Sequence, residues 1–159
     1  MDKSQIFKLL ASLSLPIGLG AVAGLFTAEA VPEWYETLNR PSFNPPNWLF
    51  GPVWTALYLF MGISFFLIWK QSASKERSFA IIAFLLQLSL NFCWSFIFFY
   101  FNMIGFALIE IVFLWISIVI MLFLFYKIKP KAAYINIPYF LWVTFAAILN
   151  ASYYFLNRS

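Results

Sequence analysis

Histidine is absent from this chain, and cysteine occurs once, at Cys93. These two shortages remove whole classes of chemistry. A single cysteine cannot form an internal disulfide and gives no sign of the redox compartment. Without histidine there is no imidazole–thiolate set for zinc or copper. There is no Ser–His or Cys–His pair to activate a nucleophile, and no imidazole to ligate haem iron. Charge is scarce as well. Asp, Glu, Lys and Arg make up 10% of the 159 residues, against about 25% in a soluble domain. No glycine-rich phosphate cradle is present. The net charge of +4 comes from basic residues in short polar segments, not from a face that would bind nucleic acid.

What is in excess is apolar surface. Hydrophobic residues are 64% of the chain, more than a globule this small can hide. Five apolar runs, at about 7–26, 50–69, 79–101, 104–126 and 133–155, are each long enough to cross a bilayer core. The fold class is therefore an all-α integral membrane protein: one domain over 1–159, a five-helix transmembrane bundle with a long structured first loop. The first run has a second reading as a cleaved signal peptide, with Lys3 and Lys8 as its basic start and Ala28-Glu29-Ala30 as its cleavage site. Its length exceeds the ~7–15 residues of a signal-peptide apolar region and favours a span. Gly20 and Gly24 form G-x-x-x-G, which lets another helix, in this chain or in a second copy, approach closely.

Five spans put the termini on opposite sides. Lys3, Lys8, Lys70, Lys75, Arg77, Lys127, Lys129 and Lys131 fall on the N-terminal side, and only Arg40 and Arg158 on the other. The positive-inside rule then places the N-terminus in the cytoplasm, with the first loop and the C-terminus outside. Basic turns of this kind fit a bacterial cell membrane.

The stretch from Leu38 to Gly62, LNRPSFNPPNWLFGPVWTALYLFMG, organises the rest. Pro41, Pro45, Pro46 and Pro52 fix φ, remove backbone donors and bias their predecessors away from helix. From about Val53 the chain is apolar and reads as a helix entering the membrane, with Trp48 and Trp54 bracketing the junction. The preceding connection, 27–47, is expected to lack a long helix. Its length marks it as functional or disordered, and Trp34 and Tyr35 favour packing over disorder. A stiff aromatic cap leading into a span can form the lid and wall of a ligand pocket.

Polar groups inside spans carry the most information, because lipid cannot satisfy them. Gln87, Asn91 and Trp94 share one face of the third helix, either to meet a ligand or to hold helices together. Glu110 is the only acid well inside a span, expected near the interface and wet. A lone carboxylate makes no proton relay. Cys93 is expected to be a buried small hydrophobe. Trp54, Tyr58, Met61 and Phe65 share a face of the second helix; Pro138, Trp142, Phe145 or Ala146, and Leu149 share one of the fifth. Such stripes are usually core or lipid contacts. Their convergence with the amides and the rigid loop suggests a flat, apolar cavity with a few polar handles. A metal-free tetrapyrrole held by stacking suits this composition better than iron ligation. Leu149, Tyr153 and Arg158 loosely fit a sterol-contact pattern, but an interfacial tyrosine with a snorkelling arginine explains them better.

The segments WYETLNRPSFNPPNWLFGPVWTALYLFMG, QLSLNFCWSFIFF, GFALIEIVFLW and PYFLWVTFAAILN, in that order, resemble the TspO/MBR family. These are tryptophan-rich sensory proteins related to the translocator protein, or peripheral benzodiazepine receptor. The resemblance covers nearly the whole chain. It implies a five-helix bundle whose first loop closes a pocket, homodimers, and binding of porphyrins such as protoporphyrin IX. It requires no cofactor; protoporphyrin IX is ligand or substrate, and membrane lipid the surrounding partner. By position, Trp54 and Trp142 look like the family's pocket tryptophans, with Tyr35, Asn91, Trp94 and Ala146 lining beside them; Tyr58, on the Trp54 face of the second helix, is a further ligand-binding candidate. Some bacterial members promote light-dependent oxidative degradation of protoporphyrin. If that occurs here, Trp54 and Trp142 are the catalytic candidates. The resemblance assigns no metal site.

Overall fold

A computed structural model describes residues 2–158. The outermost residues of the 1–159 domain, Met1 and Ser159, lie outside the described residues. Five helical stretches are long and apolar enough to cross a membrane, and the described residues contain no strand. The helices are α1 (Lys3–Glu33), α2 (Asn47–Trp69), α3 (Lys75–Ser95), α4 (Ile104–Ile128), α5 (Pro130–Ile135) and α6 (Ile137–Asn157). Together α5 and α6 make the fifth span.

Local chemistry sets several of these ends. Asp2 caps α1 by accepting from the Gln5 amide at 2.8 Å. Ser74 caps α3 by accepting from the Arg77 amide at 3.1 Å. Each relieves an amide that has no partner within its helix. The Arg77 guanidinium donates to the Gln71 carbonyl at 2.7 Å and closes the polar turn between α2 and α3. The connection from α3 to α4 is so tight that Asn102 adopts φ +57°, a conformation asparagine tolerates better than most residues.

Several boundaries differ from the sequence reading, among them the start of α3 at Lys75 in place of about 79, set by the Ser74 cap. α1 continues past residue 26 to Glu33, because Ala28-Glu29-Ala30 favours helix and Pro32 sits only in its last turn. The connection therefore shrinks to residues 34–46, with a single 3-10 turn at Tyr35–Thr37. α2 begins at Asn47 and holds Pro52 inside its first two turns. The fifth span is not one helix. Asn136 breaks it, and Pro138 follows at the start of α6, where its missing N–H costs least. α3 ends in a five-residue π turn, Phe96–Tyr100.

In a bilayer, helices associate through packing and interhelical hydrogen bonds more than by escaping water. The core joins α2, α3, α4 and α6 around Met61, Ile68, Phe84, Ile118, Phe125 and Tyr139, all fully or almost fully buried. Phe65 and Phe84 stack with centroids 4.2 Å apart. The Ser64 hydroxyl donates to the Ala132 carbonyl at 2.7 Å and accepts from the Asn136 amide, which ties α2 to the break in the fifth span.

α1 sits at the edge and approaches α2 most closely at two glycines. At Gly62 a β-carbon would lie 2.8 Å from the Ser12 carbonyl oxygen and 2.9 Å from the Leu13 Cα. At Gly20 it would collide with the ring of Tyr58. Gly24, the other half of the G-x-x-x-G, has nothing within 4 Å. The close approach is therefore made within the chain, by Gly20 alone of the pair.

Candidate functional site

Beyond Gly20, α1 and α2 part, and the space between them and α3 and α6 is a cavity of about 650 Å³. α2 supplies Phe50, Trp54 and Tyr58; the end of α3 supplies Trp94, Phe98 and Phe99; α6 supplies Trp142, Ala146 and Asn150. Tyr35, from the 3-10 turn, lines the cavity from the loop. No described lining residue is charged.

The rings pack against one another in separate groups around the hollow. Trp54 stacks on Tyr58, centroids 5.5 Å apart, and meets Tyr139 edge-on at 6.4 Å. Phe50 meets Trp142 at 6.0 Å, and Trp94 stacks on Phe98 at 5.1 Å. Trp54 and Trp142, from different spans, thus face one hollow and not opposite lipid-facing sides. Each shares a helix face with buried residues, Trp54 with Met61 and Phe65 on α2 and Trp142 with Tyr139 and Leu149 on α6.

The polar groups around the hollow are mostly committed to the protein. The Tyr58 hydroxyl donates to Asn91 Oδ1 at 2.8 Å. The Tyr139 hydroxyl donates to Gln87 Oε1 at 2.7 Å. Trp94 Nε1 donates to Asn150 Oδ1 at 3.1 Å, and Asn150 Nδ2 donates to the Ile104 carbonyl at 3.0 Å. Asn91, 2% exposed, is behind Tyr58 and does not line the cavity. Six of the seven positions singled out from sequence, Tyr35, Tyr58, Trp54, Trp94, Trp142 and Ala146, come together around it; Asn91 does not. Its period placed it on the inward face, but Tyr58 from the neighbouring helix covers it.

The loop is fastened over the end of this space. Tyr35 is 3% exposed and donates to Asn44 Oδ1 at 2.9 Å; burial pushes its phenol above the usual range. The Asn39 amide donates to Asn157 Oδ1 at 2.8 Å, and Asn157 Nδ2 returns a bond to the Asn39 carbonyl at 3.0 Å. Asn47 Nδ2 donates to Glu36 Oε1 at 3.0 Å. The proline-rich segment is thus tied to both α2 and α6.

Three side chains lie elsewhere than expected. Cys93 is exposed, because it is two residues, or about 200°, round α3 from buried Asn91. Glu110 is nearly two turns inside α4, and both of its carboxyl oxygens are enclosed without a hydrogen-bond partner, so the carboxyl is not open to water. Tyr153 is 1% exposed and beside Tyr35, centroids 5.1 Å apart. It is neither a sterol contact on the lipid face nor an interfacial anchor; Arg158 instead covers Phe155. Lining residues not singled out in the sequence include Phe50, Phe98, Phe99 and Asn150. Phenylalanine is so common here that position alone carried no signal for the first three.

The sequence profile of the TspO/MBR family matches residues 12–156. The chain belongs to the TspO/MBR family. Its relatives include the tryptophan-rich protein TspO of Archaeoglobus fulgidus, 38% identical over 153 residues that cover 96% of this chain and 99% of that one. The human translocator protein is 35% identical over 121 residues, 74% of this chain and 71% of its own. The tryptophan-rich sensory protein of Cereibacter sphaeroides is 29% identical over 150 residues, 94% and 89% of the two chains. As in the family, the chain is an integral membrane protein with five apolar helices.

Proposed function

We propose that the protein binds flat, apolar tetrapyrroles, protoporphyrin IX among them, in this cavity, and acts in the sensing, transport or regulation of porphyrins. The observation that carries this reading is that Trp54 and Trp142, from separate spans, border one uncharged hollow of about 650 Å³ beneath a fastened aromatic loop. Its volume is within the usual range of ligand pockets, ~300–1,000 Å³, and its apolar wall matches the usual lining. The names of relatives, sensory in one and translocator in another, agree with either use of a bound ligand.

The test is a titration of the full chain in lipid nanodiscs with protoporphyrin IX, read as quenching of tryptophan fluorescence. Saturable quenching that weakens at least fivefold in Trp142→Ala is expected. Quenching that never saturates refutes the reading.

A second reading, light-dependent oxidative degradation of protoporphyrin, is favoured by the two indoles on the cavity and by the stacking of Trp54 on Tyr58. Under illumination the ligand would then disappear at a rate that Trp142→Phe abolishes at unchanged dark affinity. No light-dependent loss in the wild type leaves binding alone. The charge asymmetry of the turns supports an N-terminus in the cytoplasm of a bacterial cell. Maleimide labelling of Ser4→Cys and Ser42→Cys in a Cys93→Ser background, in intact cells, reads that orientation.

A further inference from the structure

We propose that the ligand enters and leaves the cavity sideways, from the hydrocarbon of the membrane, through the slit where α1 and α2 separate. This rests on the binding reading above and adds the route, and with it the ligand class: flat molecules already dissolved in the bilayer.

The slit follows from where the two helices touch. They are in contact at Gly62 and again at Gly20 against Tyr58. One turn further along α1, Gly24 has nothing within 4 Å, and Gly51 on the facing part of α2 is equally open. The far end of α1 leans away from α2, onto the π turn that ends α3. There Phe26 packs on Phe96 with centroids 4.7 Å apart and on Tyr100 at 5.9 Å. The two helices therefore part past Gly20, and residues bordering the cavity on both sides of the gap are exposed: Ala21 and Gly24 on α1, Gly51 and Thr55 on α2. All are uncharged, and Thr55 satisfies its hydroxyl on the Gly51 carbonyl at 2.9 Å. Nothing along this edge repels lipid or a greasy plate passing edge-on.

The other way in is tied down. A ligand arriving from water over the loop has to break the Asn39–Asn157 pair of hydrogen bonds, the Tyr35–Asn44 bond and the Asn47–Glu36 bond. Behind the cavity, α3, α4 and α6 are closed by the Trp94–Asn150–Ile104 links.

The experiment measures association and dissociation rates of protoporphyrin IX by stopped-flow tryptophan quenching, with the full chain in nanodiscs. Gly24→Phe puts a ring into open space at the slit. It is expected to slow both association and dissociation at least fivefold, with the dissociation constant changed less than threefold. A side chain that merely fills the cavity acts differently, weakening binding and leaving or raising the dissociation rate, and that result overturns the proposal. Ala21→Phe, on the same edge, gives a second blocking variant should Gly24→Phe fold poorly. Asn157→Ala loosens the loop and is expected to leave both rates within twofold. Faster exchange in that variant puts the route through the loop and overturns the proposal. Absence of saturable binding in the wild type is a separate failure, that of the pocket itself.

Discussion

Tyr58→Phe removes one hydroxyl and asks what Asn91 is for. In the fold that hydroxyl donates to Asn91 Oδ1 at 2.8 Å, and Asn91 is 2% exposed, so no water replaces the lost donor. An orphaned buried acceptor costs about 1–3 kcal/mol in soluble proteins. Between membrane helices the coupling is smaller, about 0.6 kcal/mol on average and up to about 1.7, because the unfolded chain in the bilayer also finds partners. The bond is buried on both sides and well formed. We expect Tyr58→Phe to destabilise by about 1–2 kcal/mol, with a coupling of about 0.5–1.5 kcal/mol in a cycle with Asn91→Leu. Reversible unfolding by SDS in mixed micelles reads all four corners. Protoporphyrin affinity should change little in Tyr58→Phe, since the ring that Trp54 stacks on remains. If the coupling is zero, and Asn91→Leu instead lowers affinity tenfold at full stability, then Asn91 serves the ligand directly and the assignment of the amide to the scaffold is wrong.

Three further outcomes follow from the same geometry. Gly62→Ala sets a methyl against the Ser12 and Leu13 backbone, which cannot swing aside, so it should cost about 1–3 kcal/mol as other overpacked sites do, measured in the same unfolding assay. Gly20→Ala pushes instead on the Tyr58 ring, which Asn91 holds, and should lower protoporphyrin affinity several-fold by disturbing the Trp54 stack. Tyr35 is held neutral by burial, while an unfolded phenol ionises near pH 10. The unfolded state therefore loses its proton first. This contribution to stability is complete below about pH 10 and falls as pH rises beyond it, and Tyr35→Phe should flatten part of that fall in unfolding curves taken from pH 8 to 11.

Much of this architecture is written in composition. Long apolar runs separated by basic turns leave few alternatives to five spans, because each backbone polar group in lipid must be satisfied within its own helix. The helix ends are less legible. Hydropathy marks where lipid stops, whereas α1 runs on through Ala28-Glu29-Ala30 because helix propensity, not apolarity, decides there. Periodicity put Asn91 on the inward face correctly but could not say that Tyr58, 33 residues earlier in the chain, would occupy its amide. It brought Trp54 and Trp142 to one hollow for a firmer reason: each shares its helix face with residues that must be buried, so neither indole is free to turn outward. Gly20 and Gly24 look alike as letters. Only the splay of α1 from α2 makes one a contact and the other an opening.

The π turn at Phe96–Tyr100 carries a last consequence. A π turn holds an additional residue within its coil, and such bulges often sit at functional sites. Here it supplies Phe98 and Phe99 to the cavity wall while also offering Phe96 and Tyr100 as the buttress for α1. Removing one residue at this point would take out that extra position and rewind the coil to an ordinary α turn, changing the spacing between Phe96, Phe98, Phe99 and Tyr100. The wall and the buttress could then no longer both be served, so single-residue length, more than residue identity, is the property of this segment that tolerates least change.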